Sequence, residues 1–229
     1  MSRIGTLTRR TFLVGSAAIG GGVVFGAYQH RQAPENPLLR GLKDGEAAIT
    51  PYVKIDSSGI TLITTHSDLG QGARSIQAAL IAEELDVELD QVNLDPGLPD
   101  AAYYNTALKE DFTPLHATYD EMPAEALRTT VDAATKFLGL QATGSSTTVP
   151  DQYEKLRMAG AVARETIKQA AALQAGVDRS QLETENGRVK FQDGTSKTYQ
   201  ELAAEAAKVD PVSDVELRKP SQWRMIGKP

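Results

Sequence analysis

"SDLGQGARSIQAALIAEELDV", residues 67–87, sets a glycine-rich turn directly before an apolar-faced segment. Its apolar residues recur at the spacing of one helix face: Ile76, Ala79, Leu80 and Ala82. This spacing predicts a helix over 73–85 that follows a β-rich run. We expect Asp68 to cap the start of that helix. An acidic group closes the segment and is predicted to be a solvated helix end: Glu83, Glu84 and Asp86.

The glycines of this turn favour a close approach between the backbone and a ligand. Backbone N–H groups at a helix N-terminus are unpaired and carry the positive end of the helix dipole, so an anion such as a phosphate binds well there. Gly70 and Gly72 let the main chain bend, and the Gln71 amide can donate one hydrogen bond and accept another. An ordinary capped turn has the same pattern, so the motif alone leaves both interpretations open.

A second small-residue loop repeats this arrangement. Residues 143–148, TGSSTT, precede a predicted helix that runs from about 150 to Gly176. The loop offers the same geometry and adds several hydroxyl groups. Two such loops, each delivering a helix N-terminus, give the candidate ligand-binding residues: Gly70, Gln71, Gly72, Thr143, Gly144, Ser145, Ser146 and Thr147.

Turn signals and periodicity predict an α+β fold of β-hairpins with packed helices. In chain order the other elements are a hairpin turning at 56–59, a strand within 90–96, a long loop over 96–119, a helix of about 16 residues from near Pro123 to near Gly139, a hairpin across 186–187 and a helix from near Tyr199. We divide the folded part into two small lobes, 51–149 and 150–210, followed by an extended tail, 211–229.

The N-terminus carries a targeting pattern. Residues 8–13, TRRTFL, match the core of a twin-arginine export signal, and a weakly apolar run of about 15 residues follows. That run is shorter than the roughly 20 residues that span a bilayer. The sequence therefore predicts a signal over 1–31, a linker over 32–50 and a periplasmic location. It contains no clear cleavage site, so cleavage and retention as a membrane tether both stay open.

Composition excludes several classes of function. Residues 1–31 hold four of the 24 basic residues and none of the 30 acidic ones, so the remainder is strongly acidic and unsuited to nucleic acid. The chain has no cysteine, which excludes disulfides and iron–sulfur ligation within it. No histidine has a companion at metal-ligand spacing, and we expect no direct metal ligand: His30, His66 and His116.

Three stretches together resemble a known family. Residues 49–92, 138–172 and 220–229 are similar to the N-terminal part of the molybdopterin-binding subunit of the xanthine dehydrogenase/aldehyde oxidase family, most of all to its exported isoquinoline 1-oxidoreductase beta type. The resemblance covers nearly the whole chain, and the two loop motifs stand in the family's order. One departure is Ser145, which replaces the second glycine of the family's G-G-S-T loop.

The resemblance implies a function for both loops. It places Gln71 near molybdenum and the 143–148 loop against a molybdopterin cytosine dinucleotide. Members hydroxylate N-heterocycles or aldehydes with oxygen from water. Their partners include a small [2Fe-2S] subunit and, in many members, a c-type cytochrome. The absence of cysteine is compatible with iron–sulfur clusters that sit on a partner.

Family members are several times longer than this chain, and the resemblance places their catalytic glutamate outside the present segment. We therefore expect part of a cofactor site, a fragment that is inactive alone and that joins the remaining part of the molybdenum subunit. Two alternatives stay open: a truncated, non-catalytic exported binding module, and an inert gene fragment.

Overall fold

A computed structural model describes residues 34–113 and 122–228. A four-stranded sheet is built from β1 (Ala47–Thr50), β2 (Val53–Asp56), β3 (Gly59–Ile63) and β4 (Val92–Asp95), in that order. The first three strands are antiparallel, and β4 lies parallel to β3. The predicted hairpin at 56–59 is confirmed: the Asp56 carboxylate accepts a hydrogen bond from the Ser58 N–H at 2.8 Å, which stabilises the turn.

Five helices accompany this sheet in the described part of the chain: α1 (Ala73–Leu85), α2 (Leu108–Asp111), α3 (Met122–Phe137), α4 (Thr148–Ala175) and α5 (Tyr199–Ala206). The predicted helix over 73–85 is confirmed residue for residue. The helix expected from about 150 begins two residues earlier and ends before Gly176, whose φ of 68° is left-handed. The loop predicted over 96–119 is wrong in part, because a 3₁₀ turn (Ala101–Tyr103) and α2 interrupt it.

A second, smaller sheet consists of β5 (Glu183–Glu185), β6 (Arg188–Lys190) and β7 (Ser196–Thr198) in antiparallel order. Its first turn falls at Asn186 and Gly187, both at positive φ, as the Asn-Gly pair predicted. The third strand was not anticipated, because three residues are too few to show alternation. Together the helices and sheets confirm the α+β class, while the lobe boundaries stay predictions.

The core is organised around the packing of α1 along α4. Gly160 lies at their crossing, where a Cβ atom would come within 2.4 Å of the Ile81 carbonyl oxygen. Only a glycine allows the two helices this separation. Buried residues of both sheets and of α1, α4 and α5 form one continuous cluster, which includes Ile55, Leu62, Leu80, Leu156, Ile167, Val189 and Leu202.

The acidic end of α1 is buried, so the predicted solvated helix end is wrong. Glu83 and Glu84 are fully inaccessible to solvent, and Asp86 is 3% exposed. They face arginines from two distant segments: Arg157 and Arg164 on α4, and Arg218 and Arg224 in the C-terminal segment. Burial of carboxylates is tolerable only with such charge pairing and hydrogen bonding. We call the three carboxylates and the four arginines together the acidic cluster.

Glu83 of the acidic cluster fixes the C-terminal segment through the backbone. Its carboxylate accepts hydrogen bonds from the N–H groups of Arg224, Met225 and Ile226 at 2.8 to 3.1 Å. Burial alone raises a carboxyl pKa, but these N–H groups and the charge of Arg218 outweigh burial and hold the pKa of Glu83 below its usual value. The extended segment 211–228 is thereby attached to α1.

The predicted export signal, residues 1–31, and His116 lie outside the described residues. Within the ranges that the structure covers, no helix combines the length and the apolar character needed to cross a membrane.

Candidate functional site

The first candidate loop leads from β3 into α1 and exposes all three of its predicted ligand-binding residues. Gly70 and Gly72 adopt φ values of 97° and 81°, in the left-handed region that favours glycine. A Cβ atom added to either glycine would meet no atom within 4 Å. The loop thus needs glycine for its backbone conformation, and it presents an open surface to solvent.

The N-terminus of α1 is capped by the chain itself. The Asp68 carboxylate accepts hydrogen bonds from the backbone N–H groups of Arg74 and Gly70, both at 2.8 Å. These bonds, above all the one from the Arg74 N–H, lower the pKa of Asp68. The predicted cap is confirmed. Because a carboxylate already occupies this helix N-terminus, an incoming phosphate is not favoured there.

Gln71 closes the same loop from within. Its Oε1 accepts a hydrogen bond from the Leu69 N–H at 2.5 Å, and its Nε2 donates to the Ser67 carbonyl oxygen at 2.9 Å. Both polar atoms of the amide are therefore engaged, although the residue is exposed. Because Nε2 carries a second hydrogen and Oε1 a second lone pair, this exposed amide can still contact a ligand while both loop bonds remain.

The second candidate loop, 143–148, is held by Thr147. The Thr147 hydroxyl donates to the Gly144 carbonyl oxygen at 2.7 Å and accepts a hydrogen bond from the Asn105 amide at 2.9 Å. Ser145 and Ser146 adopt left-handed φ values of 48° and 60°, which are unfavourable for residues with a Cβ atom. Gly144, Ser145 and Ser146 are exposed, whereas Thr147 is buried.

Gly144 differs from the two glycines of the first loop. Its φ lies outside the left-handed region, and an added Cβ atom would meet nothing within 4 Å. Neither backbone conformation nor packing within the chain therefore demands a glycine at this position.

The structure brings the two loops together. The Ser67 N–H donates to the Thr143 hydroxyl at 2.9 Å, across 76 residues of sequence. Next to this contact, His66 Nδ1 lies 3.1 Å from Thr148 Oγ1, at the first residue of α4. The predicted loops are thus neighbours, and their exposed residues belong to one surface of the molecule.

A buried polar network beneath the loops was missed from the sequence. His66 Nε2 lies 3.0 Å from one oxygen of Asp151, whose other oxygen accepts hydrogen bonds from Thr106 and from Lys155 Nζ at 2.6 to 2.8 Å. Burial raises the pKa of Asp151, but the His66 hydrogen bond and the Lys155 charge outweigh it and hold that pKa well below its usual value. Only the i,i+4 spacing of Asp151 and Lys155 was a local signal, since His66 is 85 residues distant.

Metal coordination by the chain itself has no structural support in the described ranges, which contain no group of three histidine, aspartate or glutamate side chains placed to hold an ion. His66 is committed instead to Asp151 and Thr148.

Comparisons with known proteins place the chain in a class. No protein-family model matches it. It is 32% identical over 206 residues to the beta subunit of isoquinoline 1-oxidoreductase from Brevundimonas diminuta, a match that covers 86% of this chain and 22% of that protein. It is 25% identical over 201 residues to the B subunit of nicotinate dehydrogenase from Pseudomonas putida, with coverages of 85% and 14%.

Two solved structures overlap with it in part. The structure of a Cu,Mo-CO dehydrogenase aligns with a TM-score of 0.42 and 16% sequence identity. The alignment covers 72% of this chain and 18% of the CO dehydrogenase chain. Quinoline 2-oxidoreductase from Pseudomonas putida gives a TM-score of 0.35 at 16% identity, with coverages of 66% and 15%.

The chain is therefore related to a part of a molybdenum hydroxylase subunit, and the family resemblance predicted from its sequence is confirmed. Among such subunits it is similar to the beta subunit of isoquinoline 1-oxidoreductase. It spans about a fifth of the length of that relative, 22%, and 14% of the nicotinate dehydrogenase relative.

Proposed function

We propose that this chain supplies part of the molybdenum-cofactor site of an exported oxidoreductase that hydroxylates N-heterocycles or aldehydes with water. The observation that carries the proposal is the contact between the two loops, Ser67 N–H to Thr143 Oγ1 at 2.9 Å. Two motifs that are unrelated in local sequence share one surface, in a chain related to molybdenum hydroxylase subunits.

The 143–148 loop fits the anionic end of a dinucleotide cofactor. It stands at the N-terminus of α4, a helix of 28 residues whose dipole favours a phosphate. The first turn of α4 also holds the Asp151 carboxylate, but unlike Asp68 this carboxylate is buried and its charge is paired with Lys155 Nζ at 2.6 Å. Ser145 and Ser146 add exposed hydroxyl donors, and Gly144 leaves open space for close approach to the backbone. We assign the pyrophosphate of molybdopterin cytosine dinucleotide to this loop.

The Gly70-Gln71-Gly72 loop fits a different part of the same cofactor. Asp68 already neutralises the start of α1, so a second anion there would be repelled. An uncharged or metal-bearing end is therefore the better match, with the Gln71 amide near molybdenum. Once bound, the cofactor would supply the redox chemistry. The role of this chain is to bind and orient it, and we assign no catalytic residue within this segment.

The same proposal includes partners and a compartment. We propose that the chain works with the remaining part of a molybdenum subunit, a small [2Fe-2S] subunit and a c-type cytochrome. The lack of cysteine supports iron–sulfur clusters that lie on another polypeptide.

The TRRTFL motif at 8–13 supports twin-arginine export. A reporter fused after residue 50 should reach the periplasm, and replacement of Arg9 and Arg10 by lysine should stop it; export unchanged by that replacement would contradict this part.

The binding proposal is tested with cytidine diphosphate, which contains the pyrophosphate and cytidine of the assigned cofactor. Isothermal titration of the full chain should show binding, and Gly144→Val should abolish it without changing the thermal unfolding midpoint, because a Cβ atom at this exposed position meets no atom within 4 Å. Ala175→Val adds similar bulk at the exposed far end of α4 and should bind like the native chain. Absence of binding, or equal binding by both variants, would overturn the assignment.

A further inference from the structure

The main chain of His66 is attached to α1. Gln77, a fully buried residue of that helix, accepts a hydrogen bond from the His66 N–H and donates to the His66 carbonyl oxygen, both at 3.0 Å. The same Gln77 amide also donates to the Ala73 carbonyl oxygen at 2.8 Å. The backbone of His66 is therefore fixed in position relative to the start of α1 and to the glycine-rich loop that precedes this helix.

The imidazole of His66 is attached to α4. Nε2 faces the Asp151 carboxylate at 3.0 Å, and Nδ1 faces the Thr148 hydroxyl at 3.1 Å. A carboxylate only accepts hydrogen bonds, so Nε2 carries a hydrogen. The His66 side chain is 4% exposed and that of Asp151 is fully buried, which excludes water as a competitor for these bonds. Lys155 and Thr106 hold the remaining oxygen of Asp151.

We propose that His66 is a positioning residue that fixes the distance between the two candidate loops, so that one ligand can contact both. It does this without touching the ligand, by linking the start of α1 to the first turn of α4. The other contact described between the loops is the single, exposed hydrogen bond from Ser67 to Thr143. A hydrogen bond of this kind is weaker than a buried one between an imidazole and a carboxylate. The ligand itself rests on the proposed function, whereas the link between the loops does not.

The link is measured as a distance. Because the native chain has no cysteine, Leu69→Cys and Val149→Cys introduce the only two thiols. Both positions are exposed, one in the first loop and one in the first turn of α4. Spin labels at these sites, read by double electron–electron resonance on the full chain, should give one narrow distance distribution. In the His66→Gln background, where the amide can still reach Asp151 but not Thr148 as well, the distribution should become at least twofold wider.

A control separates positioning from general loss of stability. Ile167→Val is a buried truncation within α4, far from the loops in sequence, and it should lower the unfolding midpoint while leaving the distribution narrow. Thr148→Val removes only the hydroxyl partner of His66 Nδ1 and should also widen the distance distribution. This variant replaces His66→Gln in the test if His66→Gln does not fold. A distribution in the His66 or Thr148 variant as narrow as that of Ile167→Val would overturn the proposal.

Ligand titration then distinguishes the two proposals. Cytidine diphosphate should bind the His66→Gln variant about tenfold more weakly than the native chain, with every loop residue unchanged. If no chain binds cytidine diphosphate but the His66 variant still widens the distribution, the positioning role stands and the proposed function fails. Equal affinity in both chains would show that the distance between the loops does not control binding, and would overturn the ligand part of this inference.

Discussion

The two ends of α1 are both polar, but they have opposite surroundings. At its start, Asp68 accepts backbone hydrogen bonds at the edge of an exposed loop with open space around its glycines. At its end, Glu83 and Glu84 are inaccessible to solvent and contact distant arginines and the C-terminal backbone. One end faces open space, whereas the other end is covered by the C-terminal segment. The difference shows that the positions of charged residues in the sequence do not reveal which end of a helix is exposed to solvent.

The largest expected effect is at the covered end. Glu84→Ala removes the buried carboxylate that pairs with Arg157 at 2.7 Å, while Arg164 keeps its pair with Glu165. We expect the free energy of unfolding to fall by about 3–5 kcal/mol, as when one member of a buried ion pair is lost. Urea denaturation of the full chain measures it. The control Glu205→Ala, which breaks an exposed pair with Lys208, should cost less than about 1 kcal/mol. Equal losses would refute the buried role of Glu84.

The helix crossing that supports both ends gives the next effect. In Gly160→Ala, the new Cβ atom meets the Ile81 carbonyl oxygen, which is backbone and cannot move aside. We expect a loss of about 1–3 kcal/mol from overpacking. Met158→Ala, at a partly exposed position of the same helix, is the matched control and should change stability by less than about 0.5 kcal/mol. Tolerance of Gly160→Ala would mean that α1 and α4 are further apart than described.

Acid should weaken the attachment of the C-terminal segment to the end of α1. The pKa of Glu83 is lowered from its ordinary value of 4.5, so its contribution to stability is complete well above pH 4.5 and is lost as the pH falls below it. Unfolding free energies measured between pH 6 and 3 should therefore decline, and Glu83→Gln should decline less steeply over that interval. An unchanged slope in Glu83→Gln would show that this carboxylate is not the group that titrates.

The smallest expected effect concerns the proposed ligand surface. Ser145 holds a left-handed φ of 48°, so Ser145→Gly should raise the free energy of unfolding by about 0.5–1 kcal/mol. Gly144→Ala, next to it and with no such constraint, should change it by only a few tenths. Thermal unfolding of the two variants side by side provides the comparison. Destabilisation by Ser145→Gly would mean that the serine side chain, not the backbone, holds the loop.

Local patterns predicted most of the helices and strands, but not β1, α2 or β7. Apolar spacing gave the bounds of α1, and the Asn186-Gly187 pair gave the second hairpin. Contacts across long sequence separations were not accessible in this way. Glu83 appeared solvated because its partners lie 135 to 143 residues away, and His66 appeared isolated because Asp151 is 85 residues away. Periodicity describes which face of a helix is apolar, but not which distant charges come to meet it.

We propose that the two loops form one ligand surface at the N-terminal end of α1. Amide chemical shifts of the isotopically labelled full chain, recorded during titration with cytidine diphosphate, test it most directly. We expect shifts in both 67–72 and 143–148 with a common dissociation constant, while the amides of the acidic cluster, 83–86 and 218–226, stay unmoved. Shifts confined to one loop, or centred on the acidic cluster, would contradict the claim.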